Sequence, residues 1–515
     1  FFFKQKTAYE IVSRDWSSDV CSSDLLTLDV SSGNAITATN INVTFGGSGN
    51  ITVADPIATG SGTLTKDSSG SLTLSGANTY SGGTTLSAGT LYIGVNTVYS
   101  SGITSSAIGT GTLTLGSATI SSSANTTGGD RTIYNAVAFS SSPTTTIFGD
   151  GTYTGILNFQ TGSFALGTSA ARTFTINTTT NIANTITGSS SSITKGGTGT
   201  LTLSGANTYT GGTTISAGTL RAQGTASLSG TGTITLNGGT LQLAQDTAGT
   251  YGNAVTVGGS ASIVSDRVSN GAGVTHTLGT LSLGAYTLTI DKGAYVTSGT
   301  AGITFSGATS LTGAAGITTT STGVLTTLTG SVTGTGKNLT VDGSGDTTLS
   351  GGLNTSTSAT LTKNGSGTLT LGAAGNYTGA TTINAGVIKL GADNAITNSS
   401  ALNIAASSAT LDLYGHNETV YSLTGVANAL VLNSANGTAS TLTVANGAGL
   451  TYAGIIEDNA GSGATGTVAV TLNGTTVLTL TGVNTYSGAT TLGATANTLA
   501  LKDGGSIANS AKVTV

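Results

Sequence analysis

One phrase is stated four times in this sequence, and that repetition constrains the fold more than any other feature. The copies lie near 65–94, 194–224, 362–391 and 471–501, and the second reads TKGGTGTLTLSGANTYTGGTTISAGTLRAQG. Internal repeats of this kind indicate a solenoid, a propeller or an array. Because each turn of a solenoid packs only on its neighbours, a long chain can form one without dividing into globular domains.

The repeat reads as short strands separated by turns. Leu201–Leu203 alternates apolar and polar residues, which is the period of a half-buried strand, and Thr213–Ile215 and Thr219–Leu220 start two more. Three short strands and three turns fit one coil of a solenoid. We therefore predict an all-β, right-handed, single-stranded parallel β-helix with three short strands per coil.

The alternation also predicts the residues that line the interior of this β-helix. In each repeat, the apolar positions of the strands should point inward and bury their side chains. The predicted core residues are Leu72, Leu74, Leu86, Leu201, Leu203, Ile215, Leu369, Leu371, Ile383, Leu478, Leu480 and Leu492.

The repeat resembles the passenger-associated transport repeat of bacterial autotransporters. The resemblance rests on Gly199–Leu203, Gly205–Tyr209, Gly211–Thr214 and Gly218–Leu220, and the four core copies span roughly a quarter of the chain. It implies a β-helical passenger that is secreted through the outer membrane of a Gram-negative-type bacterium to the cell surface. It also implies a C-terminal outer-membrane barrel as the partner in the full-length protein.

Composition agrees with a solenoid and argues against other classes. The chain has 80 Gly in 515 residues without a period of three, so it is not collagen-like. Its net charge is only −5, and Leu, Ile and Val recur at strand spacing, which is unlike a disordered chain. Thr, Gly, Ser and Asn dominate and are poor in helix interiors.

The first 25 residues differ from everything that follows. Phe1–Leu25 contains the only Cys and the only Trp, Cys21 and Trp16, and it contains no Gly. Back-translation of Lys4–Ile11 and Asp15–Leu25 resembles the constant parts of a sequencing adapter, separated by room for an index. We interpret 1–25 as translated adapter rather than as a capping segment, and 26–515 as one β-helical passenger fragment.

Neither end of the chain has the features of a complete autotransporter. The sequence has no apolar run of about 20 residues, so it predicts no membrane helix. The start lacks the apolar core and small-residue cleavage site of a signal peptide. We therefore expect an internal fragment of a longer protein.

The candidate site residues are few. His276 and His416 are far apart and do not have the spacing of a metal site, so we expect ordinary turn or surface histidines. Asp266-Arg267 and Asp291-Lys292 are adjacent opposite charges, which surface ion pairs explain. None of these residues indicates catalysis.

Two acidic stretches complete the candidates. Asp342–Asp346 resembles the opening of a calcium loop, but Leu353 stands where the bidentate acid should be, so a turn is the better interpretation. Glu457-Asp458 could be half of a carboxylate pair, and the sequence indicates no partner for it. We therefore predict no catalytic residues, no cofactor-binding residues and no metal ligands.

Three function classes remain open. The first is a structural, stalk-like or adhesin-like passenger, not an enzyme, whose repeats aid secretion and folding and whose partners are glycans or cell surfaces rather than nucleic acid. The second is a β-helical polysaccharide-degrading enzyme, which needs clustered carboxylates in a groove. The third is a surface or ice binder, for which regular outward Thr ladders, as in Thr287-Leu288-Thr289, would be the sign.

Overall fold

A computed structural model describes residues 25–140, 144–228, 232–446, 449–459, 465–493 and 496–515. The interpretation of 1–25 as adapter therefore falls outside the described residues except at Leu25. Leu25 begins the first strand and pairs with Asn50. The chain divides into two compact units, Phe1–Gln242 and Leu243–Val515, which we call unit 1 and unit 2.

Unit 1 is built from short strands, with one helical turn at Thr126–Gly129 (α1) and one 3-10 turn at Thr225–Leu228. The strands that begin in unit 1 are β1 (Leu25–Leu28), β2 (Ile36–Thr37), β3 (Val43–Phe45), β4 (Asn50–Val53), β5 (Ile57–Ala58), β6 (Leu64–Lys66), β7 (Ser71–Leu74), β8 (Thr84–Leu86), β9 (Thr90–Ile93), β10 (Val98–Tyr99), β11 (Ile103–Ser105), β12 (Leu113–Leu115), β13 (Thr119–Ser122), β14 (Arg131–Ile133), β15 (Val137–Phe139), β16 (Thr144–Phe148), β17 (Leu157–Phe159), β18 (Ser163–Ala165), β19 (Ala171–Ile176), β20 (Thr180–Ile182), β21 (Thr185–Thr187), β22 (Ser192–Gly196), β23 (Thr200–Leu203), β24 (Thr213–Ile215), β25 (Thr219–Gln223), β26 (Ile234–Leu236) and β27 (Thr240–Ala244).

Unit 2 has the same construction. Its strands are β28 (Gly249–Thr250), β29 (Val255–Val257), β30 (Ala261–Asp266), β31 (Gly271–Ala272), β32 (Thr275–Leu278), β33 (Leu281–Leu283), β34 (Thr287–Lys292), β35 (Val296–Ser298), β36 (Ala301–Phe305), β37 (Thr309–Leu311), β38 (Ala315–Thr319), β39 (Val324–Leu328), β40 (Val332–Thr333), β41 (Leu339–Asp342), β42 (Asp346–Leu349), β43 (Leu353–Asn354), β44 (Leu361–Lys363), β45 (Thr368–Leu371), β46 (Thr381–Ile383), β47 (Val387–Leu390), β48 (Ala401–Ile404), β49 (Thr410–Asp412), β50 (Glu418–Val420), β51 (Ser422–Gly425), β52 (Leu430–Leu432), β53 (Ala439–Val444), β54 (Leu450–Tyr452), β55 (Ile455–Ile456), β56 (Thr467–Leu472), β57 (Val477–Leu480), β58 (Thr490–Leu492), β59 (Thr498–Leu501) and β60 (Val513–Thr514).

In unit 1 the strands of the main ladders pair with the strand that follows one turn later, whereas β10 and β11 pair with each other in the antiparallel direction. The longest ladder orders ten strands as β1-β4-β7-β9-β13-β16-β19-β22-β24-β26, and a second ladder runs β3-β6-β8-β12-β15-β18-β21. The pairs are parallel, with Leu72 on Leu91 and Leu74 on Ile93 between β7 and β9. Parallel pairing of strands about one turn apart is the pattern of a solenoid.

Unit 2 follows the same rule. Its longest ladder orders eleven strands as β30-β34-β38-β41-β44-β46-β48-β51-β54-β57-β59. Three strands make one turn where β37, β38 and β39 precede β40, which pairs with β37 in parallel. The predicted all-β parallel solenoid is therefore confirmed, and three strands per turn occur in this region, while the predicted right-handedness stays a prediction.

The alternating apolar residues line the interior as the sequence predicts. Of the twelve predicted core residues, eleven are at most 1% exposed, and only Leu492 is half-buried. Pairing of β58 with β60 ends at Thr491, so this ladder does not continue over Leu492. Each fully buried Leu or Ile stabilises the fold by about 1.5–3 kcal/mol.

One detail of the prediction is wrong, because the repeat spans two turns rather than one coil. Its first and third strands are not two sides of one turn: β23 pairs with β25, with Leu201 on Leu220. The second strand, β24, pairs with β22 of the preceding turn, with Ile215 on Lys195. An alternating strand has the same pattern whether it forms the next side of the same turn or begins the following turn. The pattern alone therefore does not distinguish these two arrangements.

Candidate functional site

Each repeat buries a tyrosine against a threonine hydroxyl four residues later. The tyrosine lies in the segment between two strands and is at most 3% exposed in all four copies. The hydroxyl oxygens of each pair are 2.6–2.7 Å apart in Tyr80–Thr84, Tyr209–Thr213, Tyr377–Thr381 and Tyr486–Thr490. Burial raises the pKa of these phenols, to about 12 at Tyr209, so they remain neutral hydrogen-bonding groups.

An asparagine two residues before the tyrosine connects three turns. The Oδ1 atom of Asn207 accepts the amide hydrogen of Ile186 in the preceding turn at 2.8 Å. Its Nδ2 donates to the carbonyl of Ser227 in the following turn at 2.7 Å. Asn78 and Asn484 make equivalent bonds in the first and fourth copies, whereas the third copy has Gly375 at this position. A buried amide of this kind holds consecutive turns in one register.

Three repeats bury a lysine in a ring of backbone carbonyls. Nζ of Lys195 donates to the carbonyl oxygens of Gly196, Gly197 and Ala217, each at 2.9 Å. Lys66 and Lys363 are also at most 1% exposed and donate to carbonyls of their own turns. Burial lowers the pKa of Lys195 and of Lys363 to about 8. These ammonium groups satisfy the backbone and do not face solvent.

The fourth repeat shows how the same space is filled without a lysine. Leu472 stands at the lysine position and is fully buried. The hydroxyl of Thr476 donates to the carbonyl of Asn473 at 2.7 Å, and Nδ2 of Asn497 donates to the carbonyl of Leu472 at 2.8 Å. Two neutral donors therefore satisfy carbonyls here, whereas an ammonium group does so in the other copies.

The two histidines are in different surroundings. His276 is buried, where its Nε2 lies 3.0 Å from the carbonyl oxygen of Asp266, and burial lowers its pKa. It is therefore not the turn or surface residue that the sequence predicts. His416 is partly exposed, and its Nδ1 lies 3.2 Å from Oδ1 of Asp393.

The adjacent charges do not all form the expected surface pairs. Nη2 of Arg267 lies 3.6 Å from Oδ1 of Asp246, which is not its neighbour in the sequence. Asp266 is buried, and its Oδ1 accepts the amide hydrogen of Tyr295 at 3.1 Å. Oδ1 of Asp291 accepts the amide hydrogen of Lys292 at 2.8 Å. Two of these side chains, Asp266 and Asp291, thus fix the local backbone.

The carboxylates of the acidic stretches likewise accept backbone amide hydrogens, at strand ends and in a loop. Asp342 accepts the amide hydrogen of Gly343 at 2.6 Å, and Asp346 accepts that of Thr368 at 2.9 Å. Asp458 accepts the amide hydrogens of Val468 at 2.7 Å and Ser487 at 3.0 Å. In the part of the chain that the structure describes, no three His, Cys, Asp or Glu side chains form a potential metal site.

Glu418 is a buried carboxyl that the sequence analysis missed. It is fully buried, and its two oxygens accept amide hydrogens from Ile396 at 3.1 Å and Thr419 at 3.0 Å. Burial raises its pKa to about 8, against these hydrogen bonds. The available signal was its alternation with Val420, which places both residues on the inner face of β50.

Outward-facing threonines stack in register on each unit. A single file of five Thr crosses five consecutive turns in each case. The files are Thr145, Thr173, Thr194, Thr214 and Thr235 in unit 1, and Thr277, Thr304, Thr327, Thr348 and Thr370 in unit 2. The neighbouring file in unit 2 is mixed and runs Thr275, Gly302, Leu325 and Asp346. Each ladder is therefore one residue wide rather than a two-dimensional array.

The fold and the repeated polar bridges define the class of protein: a parallel β-solenoid with dispersed two-turn repeats. The family model of the passenger-associated-transport repeat matches residues 64–93, 193–222, 361–390 and 470–494. The four matches support an autotransporter passenger.

The family also bears on location and partner. The repeat implies secretion to the cell surface through the outer membrane, and a C-terminal outer-membrane partner domain in full-length autotransporters. No curated protein and no solved structure matches the chain. Among the described residues, no helix has the length and apolar character to cross a membrane.

Proposed function

We propose that this chain is a non-enzymatic autotransporter passenger that serves as a stalk with an adhesive outer surface. The observation that carries the proposal is the use of buried polar groups within the repeats. Tyr209, Asn207 and Lys195 all bond within their own or adjacent turns. Only 7% of the residues are charged, which leaves little material for acid–base catalysis.

We further propose that the repeats aid folding during secretion. A solenoid turn needs only its neighbours, so it can fold as soon as the next turn is present. The side-chain amide of Asn207 makes hydrogen bonds to the turns on both sides, and these two bonds form only when both turns are in place. Since an unsatisfied buried amide costs about 1–3 kcal/mol, each repeat that has this asparagine favours the addition of a correctly registered turn.

Matched deletions of whole turns test this role. Residues 64–112 comprise two turns, because Leu64 and Leu113 occupy the same ladder position, and they contain the first repeat with its Asn78 bridge. Residues 281–331 comprise two turns without a repeat, from Leu281 to the equivalent Val332. Each variant is expressed between a signal peptide and an outer-membrane translocator, and surface display is measured by protease access. We expect display to fall with the first deletion and not with the second; equal display would contradict the role.

The enzyme alternative has its own test. The purified chain is incubated with a broad panel of polysaccharide and peptide substrates, and we expect no turnover. Turnover that a single Asp or Glu substitution abolishes would overturn the non-enzymatic proposal.

A surface-array binder is the second candidate, because the two threonine ladders favour it. Adjacent turns place their hydroxyls about 4.8 Å apart, which is a regular spacing in one direction. The mixed neighbouring file, with Leu325 and Asp346, interrupts the second direction that a flat crystal surface requires. Thermal hysteresis measured with Thr304→Leu and Thr327→Leu variants decides whether the ladder binds ice.

A further inference from the structure

A shallow depression lies on the outer surface of unit 1, next to a tyrosine–aspartate cluster. It has a volume of about 560 Å³ and is lined mainly by small hydroxyl-bearing side chains from four consecutive turns. The lining includes Ser69, Thr90, Thr119 and Thr145. Since adjacent parallel strands are about 4.8 Å apart, four turns extend over roughly 14 Å.

The register of the strands places the cluster beside this depression. Thr90 pairs with Thr119, and Tyr92, two residues further along the same face of β9, pairs with Ser121. The ring of Tyr92 meets that of Tyr153 edge to face, with centroids 5.6 Å apart. Of these five side chains, all but Ser121 are partly exposed. The register thus places the aromatic pair beside the depression, where it is open to solvent.

Asp150 holds the aromatic pair in place. Its Oδ2 accepts the hydroxyl hydrogen of Tyr92 at 2.7 Å. Its Oδ1 accepts the hydroxyl hydrogen of Ser121 and the backbone amide hydrogens of Thr152 and Tyr153 at 3.0–3.2 Å. Burial disfavours ionisation of Asp150, but these hydrogen bonds outweigh it and lower its pKa. The group is therefore a carboxylate with acceptor capacity remaining at Oδ2.

Resting on the proposed adhesive function, we propose that this depression binds a neutral oligosaccharide along the direction in which the turns stack. A pyranose presents hydroxyls at its edge and C–H groups on its face, which match hydroxyl and carboxylate acceptors beside tyrosine rings. The residues that line the depression include Asp67 and no Lys or Arg. Two carboxylates, Asp67 and Asp150, against the buried ammonium group of Lys66 behind Ser68 leave the local charge negative, which disfavours an acidic sugar.

Binding by the whole chain tests the proposal directly. The probes are neutral β-linked gluco-, galacto- and N-acetylglucosamine oligosaccharides, with uronic-acid oligosaccharides of equal length for comparison. Titration calorimetry measures affinity for the natural sequence and for Tyr153→Ala. We expect a neutral probe to bind and the substitution to weaken binding roughly tenfold. Tyr286→Ala is the matched control, since Tyr286 is a 42% exposed tyrosine of unit 2, and it should leave affinity unchanged.

A second variant covers the case in which Tyr153→Ala fails to fold. Ser69 is exposed on the rim of the depression, so Ser69→Trp fills it without changing the core. Loss of binding in this variant supports the site, whereas unchanged binding overturns it. No binding of any neutral probe, or equal binding of uronic-acid probes, also overturns it. Cells that still adhere in that case would leave the adhesive function standing and remove only this site.

Discussion

Replacement of Glu418 by glutamine tests whether one buried carboxyl limits stability near neutral pH. The pKa of Glu418 rises from 4.5 to about 8 on folding because the side chain is buried. The folded state therefore favours the protonated acid. Its stabilising contribution is complete below pH 4.5 and is lost progressively as the pH rises towards 8.

The magnitude follows from this shift. Between pH 4.5 and pH 7 the loss amounts to about 3 kcal/mol. Glutamine does not titrate, but its NH₂ group cannot accept one of the amide hydrogens from Ile396 and Thr419, which costs about 1 kcal/mol. We expect Glu418→Gln to be less stable than the natural sequence by about 1 kcal/mol at pH 4.5 and more stable by about 2 kcal/mol at pH 7.

Urea unfolding at several pH values, followed by tyrosine fluorescence, measures this difference. Asp503→Asn removes one exposed carboxylate and is the control. A Glu418→Gln difference that does not change sign between pH 4.5 and pH 7 would refute the reasoning.

Three further predictions concern the repeats and are checked by the same unfolding assay. Tyr209→Phe leaves its threonine partner without a bond from the described residues and should destabilise by about 1–3 kcal/mol; Tyr377→Phe, whose threonine also bonds a serine, should cost about 1 kcal/mol. Equal losses of stability in these two variants would contradict this explanation. Gly218→Ala should destabilise by more than about 2 kcal/mol, because φ is +61° and a Cβ would lie 2.5 Å from a carbonyl oxygen; Gly224→Ala, also at positive φ but in open space, should cost only about 1 kcal/mol. Because the pKa of Lys195 is about 8 in the folded chain and 10.5 in the unfolded chain, the free energy of unfolding should rise between pH 8 and pH 10. Lys195→Leu should reduce that rise; an unchanged dependence of stability on pH would show that Lys195 does not contribute to it.

Strand alternation was sufficient to predict the apolar residues that point inward, but not the buried polar groups between the strands. Leu201 and Leu203 could be placed because their period of two is visible in the sequence. Tyr80 lies in a segment without a period, and it packs against Gly109, which comes 29 residues later. Its burial depends on the next turn, and no local pattern carries that information.

The threonine ladders could be predicted only in part. Outward Thr residues are evident from alternation, but their stacking depends on where each turn begins. Thr145 stacks on Thr173 after 28 residues, and Thr173 stacks on Thr194 after 21. Because loops of different length separate equivalent positions, the sequence does not specify the register until the strands are paired.

The apolar ladders and the asparagine bridges have separate effects on how the solenoid assembles. Leu72 on Leu91 and Leu201 on Leu220 are nearly the same contact, so apolar burial alone would tolerate a slip by a whole turn. Such a slip would separate Asn207 from the carbonyl of Ser227 and leave a buried amide without its acceptor. Apolar contacts thus stabilise any alignment of the turns almost equally, whereas a few buried amides stabilise only the native alignment.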